Sequence, residues 1–91
     1  MFHIYFQPSF GRDRKIAEVS EEEMIWPVIK AFLDNRKFEC YYFRTSRPTY
    51  KVGKKWHPGI WYDVGSHTEF FRAINMGVDV PDPNSGGVVL D

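Results

Sequence analysis

Two segments of this chain alternate apolar and polar side chains with a period of two. Phe2, Ile4 and Phe6 alternate with His3, Tyr5 and Gln7, and Ile60, Tyr62 and Val64 alternate with Trp61 and Asp63. That period sends successive side chains to opposite faces of a strand, so each segment buries one face and presents the other. Residues 38–45, FECYYFRT, are also rich in strand formers and carry aromatic side chains on both faces. Residues 15–19 fit either a short second strand or a lead into the helix that follows.

Two stretches read as helices. Ser20 precedes Glu21, Glu22 and Glu23, an arrangement suited to a capping box and to the positive end of a helix dipole. Met24, Ile25, Val28, Ile29, Phe32 and Leu33 then fall on one helical face, with Lys30, Asp34 and Arg36 on the other. Pro27 removes an amide donor inside this run, which predicts a bent helix of roughly 15 residues with the proline facing water. The second stretch repeats the start signal at Ser66, His67, Thr68 and Glu69. Phe70, Phe71 and Ile74 form its apolar stripe and Gly77 its C-cap, predicting a helix over 67–76.

The resulting order, β(β)αββα(β), is that of an α+β fold: a small antiparallel sheet with two helices on one face, in a ferredoxin-like arrangement. At 91 residues the chain is expected to be one domain, 1–91, with 78–91 either an irregular tail or the source of an edge strand at 88–90. Cys40 is the single cysteine, which excludes an internal disulfide and a multi-cysteine zinc site. With no signal peptide in view, it points to a reducing, cytoplasmic setting. No apolar run approaches the roughly 20 residues of a membrane span.

With Phe2, Ile4, Phe6, Ile60, Tyr62 and Val64 turned to the helices, His3, Tyr5, Gln7, Trp61 and Asp63 face the other way. They are joined by either Tyr42 and Arg44 or Tyr41 and Phe43. Aromatic side chains on an open sheet face can stack on nucleobases. IYFQP at 4–8 is similar to the first-strand motif of RNA-recognition domains, and GIWYDVGSHTEFFRAI at 59–74 resembles the strand-to-helix passage of their second half. Gly59 stands where that family's third-strand motif has an aromatic, and the basic–glycine pair that opens the motif is absent. The resemblance is therefore one of element order, without family membership. The same aromatics also suit a homodimer made through that face.

Net charge is zero, but it is unevenly spread: residues 36–55 hold seven basic side chains against Glu39, a balance of +6. Within this region the arm 47–57, RPTYKVGKKWH, joins two strands. Gly53 and Lys54 fit a tight glycine-first turn, and HPGI at 57–60 fits a type II turn that breaks the register. Arg44, Arg47, Lys51, Lys54 and Lys55, interleaved with Tyr50 and Trp56, suit a phosphate backbone with bases to stack on. Tyr5 and Trp61 extend the candidate binding surface onto the sheet. A solvated hairpin tip is the plain alternative.

Catalysis has little support. His57, Asp63 and His67 fall on a turn, a strand and a helix start, and Cys40 sits in a strand where a small buried thiol is the ordinary reading. A glycine-rich phosphate loop, a nucleophile elbow and a HExxH pair are all missing. The sequence thus predicts a small non-catalytic binding protein without cofactor or metal, engaging an anionic partner, nucleic acid foremost, through the basic–aromatic arm and the sheet face. The alternative is an inhibitor or adaptor docking on a partner protein.

Overall fold

The computed structural model describes the chain except for residues 39–42, 67, 84–86 and 91 and the side chain of Leu90. Among the described residues its architecture is mostly β: seven strands and one α-helix. The strands are β1 (Phe2–Gln7), β2 (Arg14–Val19), β3 (Arg44–Ser46), β4 (Thr49–Val52), β5 (Lys55–Asp63), β6 (Phe70–Asn75) and β7 (Val88–Leu90), with α1 at Ile25–Asn35. The sheet runs β2-β1-β6-β5-β4-β7, with β3 also pairing β5. All pairings are antiparallel except β4 with β7.

The helix expected at 67–76 is absent: Phe70 to Asn75 form β6, paired with β1 on one side and β5 on the other. Phe71, Arg72, Ala73 and Ile74 are all buried: Phe71 and Ala73 in the core under α1, and Arg72 on the other face against Gln7, Asp13 and the Tyr50 ring. A short, continuously buried run looks alike as helix or strand in sequence, and here the two neighbouring ladders decide it. Gly77, assigned as the helix C-cap, does not take the left-handed conformation; it lies in the turn after β6, its amide donating to Asn75 Oδ1 at 3.2 Å. The ferredoxin-like arrangement therefore falls, and with it the element order that resembled RNA-recognition domains.

The first helix forms with altered ends. A 3-10 turn, Glu22–Met24, leads into α1, and no side chain caps either start; Ser20 Oγ meets only Met24 Sδ, at 3.6 Å. Pro27 is the third residue of α1, inside the first turn, where an amide has no helical partner to lose. The expected mid-helix bend is thus unnecessary, and the helix is 11 residues long. It ends in a Schellman motif: Phe38 N donates to Leu33 O and Lys37 N to Asp34 O, both at 3.0 Å, with Lys37 left-handed at φ 56. Ile25, Ile29 and Leu33 pack onto Ile4, Phe6, Ile60, Tyr62, Val64, Phe71 and Ala73, one continuous core between helix and sheet.

Residues 15–19 belong to β2, whose register with β1 shifts by one residue between Ile4 and Tyr5. The strand expected at 38–45 lies partly outside the described residues, and β3 covers only Arg44 to Ser46. Gly53 turns the β4–β5 hairpin at φ 66 without a left-handed Lys54, the glycine-first geometry.

The turn expected at His57–Ile60 does not exist. Pro58 and Gly59 lie inside β5, and its partners from Arg44↔Asp63 to Val52↔Lys55 keep a single register. Pro58 is tolerated because its side of β5 faces the point where the ladder to β6 ends, at Gly59↔Ile74. Gly59 N donates to Pro48 O at 3.0 Å. A Cβ on Gly59 would lie 2.3 Å from two ring carbons of Tyr50, so the Tyr50 ring occupies the space that a side chain would need. Gly59→Ala is expected to lower the unfolding free energy by about 1–3 kcal/mol through overpacking, read from urea denaturation. An unchanged midpoint would mean that Tyr50 does not lie across the strand. Among the described residues no helix is long and apolar enough to cross a membrane.

Candidate functional site

Alternation sorts the sheet into two faces. α1 covers the face of Ile4, Phe6, Ile60, Tyr62, Phe71 and Ala73. By register, the opposite face carries Tyr5, Gln7, Trp61, Phe70 and Arg72, with Arg44 across from Asp63 and Tyr50 across from His57. Arg44, not Phe43, joins the helix-free face. Phe43 packs instead against Trp26 and Tyr62, with ring centroids 4.4 and 5.9 Å away. Tyr41 and Tyr42 lie outside the described residues.

The arm and the sheet aromatics do not form one continuous basic surface. Arg47 turns toward the helix side and makes a bidentate pair with Glu22, Nη2 to Oε2 at 2.8 Å and Nη1 to Oε1 at 3.2 Å. That pair holds the Glu22 carboxyl below its ordinary range, the hydrogen bond from Arg47 being the main cause. Arg44 Nη2 lies 3.5 Å from Asp63 Oδ2, and Lys55 Nζ lies 3.5 Å from Asp79 Oδ2. Lys51 and Lys54 make no ion pair among the described residues. Lys51 and Trp56 face each other across the hairpin on the side that α1 covers lower down, and they border an open pocket of ≈ 370 Å³ together with Lys54, Lys55 and Asp82. Gly87 packs on the Trp56 ring so closely that a Cβ there would lie 2.2 Å from Cζ3.

Trp61, half-buried, stacks on Phe70 with centroids 4.7 Å apart and 28° between planes. Tyr50 is 1% exposed, so its ring is structural and no stacking platform. Burial pushes its hydroxyl pKa up to about 12, the nearby Arg72 opposing the shift. Between these aromatics lies an open groove of ≈ 380 Å³, bordered by Gln7, Ser46, Pro48, Tyr50, Trp61 and Arg72. Arg72 is 8% exposed and its guanidinium carbon sits 5.3 Å from the Tyr50 ring centroid. Its Nη2 donates to Gln7 Oε1 at 2.6 Å, and its Nε lies 3.0 Å from Asp13 Oδ2 but has no acceptor in line with its N–H.

Of the residues expected to bind, Tyr5, Trp61 and Arg44 share the helix-free face; Lys51, Lys54 and Trp56 gather at the hairpin tip; Arg47 and Tyr50 are engaged within the fold. Sequence reasoning missed Phe70 and Arg72, because the segment was assigned to a helix. The available signal was the paired aromatic Phe70–Phe71, which fits a strand packed on both faces.

Of the catalytic candidates, only His57 and Asp63 fall within the described residues, six positions apart on β5. His57 is buried with Nδ1 2.8 Å from Val78 O, Asp63 Oδ1 accepts from Gly65 N at 3.0 Å, and Cys40 and His67 lie outside the described residues. Among the described residues no three His, Cys, Asp or Glu side chains are grouped to hold a metal ion. No family model, curated protein or solved structure matches the chain, so its function is argued from its own geometry.

Proposed function

We propose that this protein is a non-catalytic binding domain for single-stranded nucleic acid, holding the strand on the helix-free face of its sheet between the hairpin tip and Arg44. The observation that carries the reading is Trp61 stacked on Phe70 beside an open groove on the face without a helix. Stacking on an aromatic is worth about 1–3 kcal/mol per base and tolerates any sequence, since every base has a π-face. Tyr5 pairs across the ladder with Arg72 and widens the platform. Cations flank it: Arg44, across from Asp63 at one end, and Lys54 at the tip, about 30 Å away along β5 at roughly 3.3 Å per residue, the span of several nucleotides. Arg44's side chain is 64% exposed while its partner Asp63, 3.5 Å away, is 14% exposed, so a phosphate can approach the guanidinium from its solvent side. A cytoplasmic setting belongs to the same reading, through the single Cys40.

Fluorescence titration with a dT hexamer tests it. If about three phosphates are neutralised, affinity falls with a log–log slope near −2, about 10- to 20-fold between 50 and 200 mM salt. Lys54→Ala and Lys55→Ala combined should flatten that slope, and Trp61→Leu should weaken binding at every salt concentration. Binding unchanged across that salt range would contradict the proposal. A solution mass of two chains with Trp61 buried would replace it by homodimerisation.

One observation favours a second reading, an inhibitor or adaptor that docks on a protein: Phe10, at the tip of the β1–β2 loop, is 92% exposed. An apolar ring held in water by a short loop is a ready anchor for a partner pocket. Recovery of one stoichiometric protein after nuclease treatment, lost in Phe10→Ser, would select this reading.

A further inference from the structure

The groove beside Trp61 has polar chemistry that stacking does not require. Arg72 reaches it with its charge already balanced by Asp13, so a bare phosphate would gain little there. What the groove offers is hydrogen-bond donors. A guanidinium can only donate, so Gln7 must turn its Oε1 to Arg72, which leaves the Gln7 amide NH2 as a second donor on a residue that also borders the groove. The Arg72 guanidinium has N–H groups beyond the one that Gln7 accepts, and its side chain keeps 10% of its surface open.

We infer that this groove is a subsite for one nucleobase of the bound strand, and that it selects guanine. The base lies flat against Trp61 and presents its O6 and N7 to Arg72 and Gln7. Guanine alone places two acceptors side by side on that edge; adenine has a donor and an acceptor there, and the pyrimidines one polar group. Charge balance at Arg72 makes a neutral acceptor-rich ring the better occupant. The inference rests on the strand-binding reading above.

The test compares hexamers TTGTTT, TTATTT, TTCTTT and TTTTTT at one low salt concentration, with guanosine, which has no phosphate, as a fifth probe, followed by the Trp61 indole resonance. TTGTTT should bind about 5- to 150-fold tighter than TTTTTT, the range that one well-placed bidentate contact supplies. Gln7→Glu keeps an oxygen toward Arg72 but replaces the free donor by an acceptor; it should erase that ratio in a protein whose circular dichroism is unaltered. Arg72→Lys should do the same if the chain still folds. Equal binding of all four hexamers overturns the guanine subsite and leaves strand binding standing. Guanosine binding at Trp61, sensitive to Gln7→Glu, without any hexamer binding upholds the subsite and overturns the strand. Binding of no probe overturns both.

Discussion

Phe71→Ala is expected to remove about 3–5 kcal/mol of stability, the cost of deleting a fully buried ring and leaving a cavity. A domain of this size has a total of about 5–15 kcal/mol, so the variant should lose about a fifth or more of its stability and unfold at a lower urea concentration. The position is exacting because Phe71 is 0% exposed on the central strand β6. It pairs with Phe6 on one side and Tyr62 on the other. Its ring also meets Phe6 and Phe32 at 5.3 and 5.5 Å, joining the sheet to α1. The neighbouring Phe70→Ala should cost far less, since Phe70 is half-buried on the other face and loses chiefly its stack with Trp61. Urea denaturation of both variants measures the difference. Equal losses would mean that 70 and 71 do not alternate between faces, and β6 would not be a strand.

Raising the pH above 10 is expected to destabilise the fold through Tyr50 and Tyr62, whose pKa values are both pushed up to about 12. Burial is the leading cause for each; Arg72 opposes it at Tyr50, while Glu22 adds to it at Tyr62. A buried phenol keeps its proton where the unfolded chain has given it up, so the native state binds more protons between pH 10 and 12. Stability is therefore complete below pH 10 and declines as pH rises to 12, by at most about 2.7 kcal/mol for each tyrosine. The Tyr50→Phe, Tyr62→Phe double variant should have a shallower decline over that interval. A slope identical to that of the unsubstituted protein would place both hydroxyls in water.

Much of the sheet was legible where its strands obey simple rules. Phe2, Ile4 and Phe6 alternate cleanly, and Gly53 supplies the positive φ that the hairpin turn needs. The β5–β6 region was misread for a common physical reason. Pro58–Gly59 is a turn signal in isolation, yet here the proline falls where a ladder stops and the glycine makes room for Tyr50. Likewise Phe70, Phe71 and Ile74 fit a helical stripe; pairing with β1 and β5 makes the segment a strand, and packing on both of its faces buries four consecutive residues. The site inherits both outcomes. Trp61 and Tyr5 were visible by their period of two, whereas Arg72 depends on a strand that local pattern could not announce. The basic arm was visible as composition alone, and carboxylates distant in sequence, Glu22 and Asp79, decide which of its charges stay available.

The three tryptophans report on three separate regions: Trp26 against Phe43 beside the helix, Trp56 at the hairpin tip and Trp61 on the helix-free face. Their indole N–H resonances in a nitrogen-15 correlation spectrum, followed while a short single-stranded oligonucleotide is added at low salt, test the central proposal directly. The expected result is a large shift at Trp61, a smaller one at Trp56, none at Trp26, and reversal of both shifts on adding salt. Shifts confined to Trp26, or no shift at Trp61 at saturating oligonucleotide, would contradict a binding face opposite the helix.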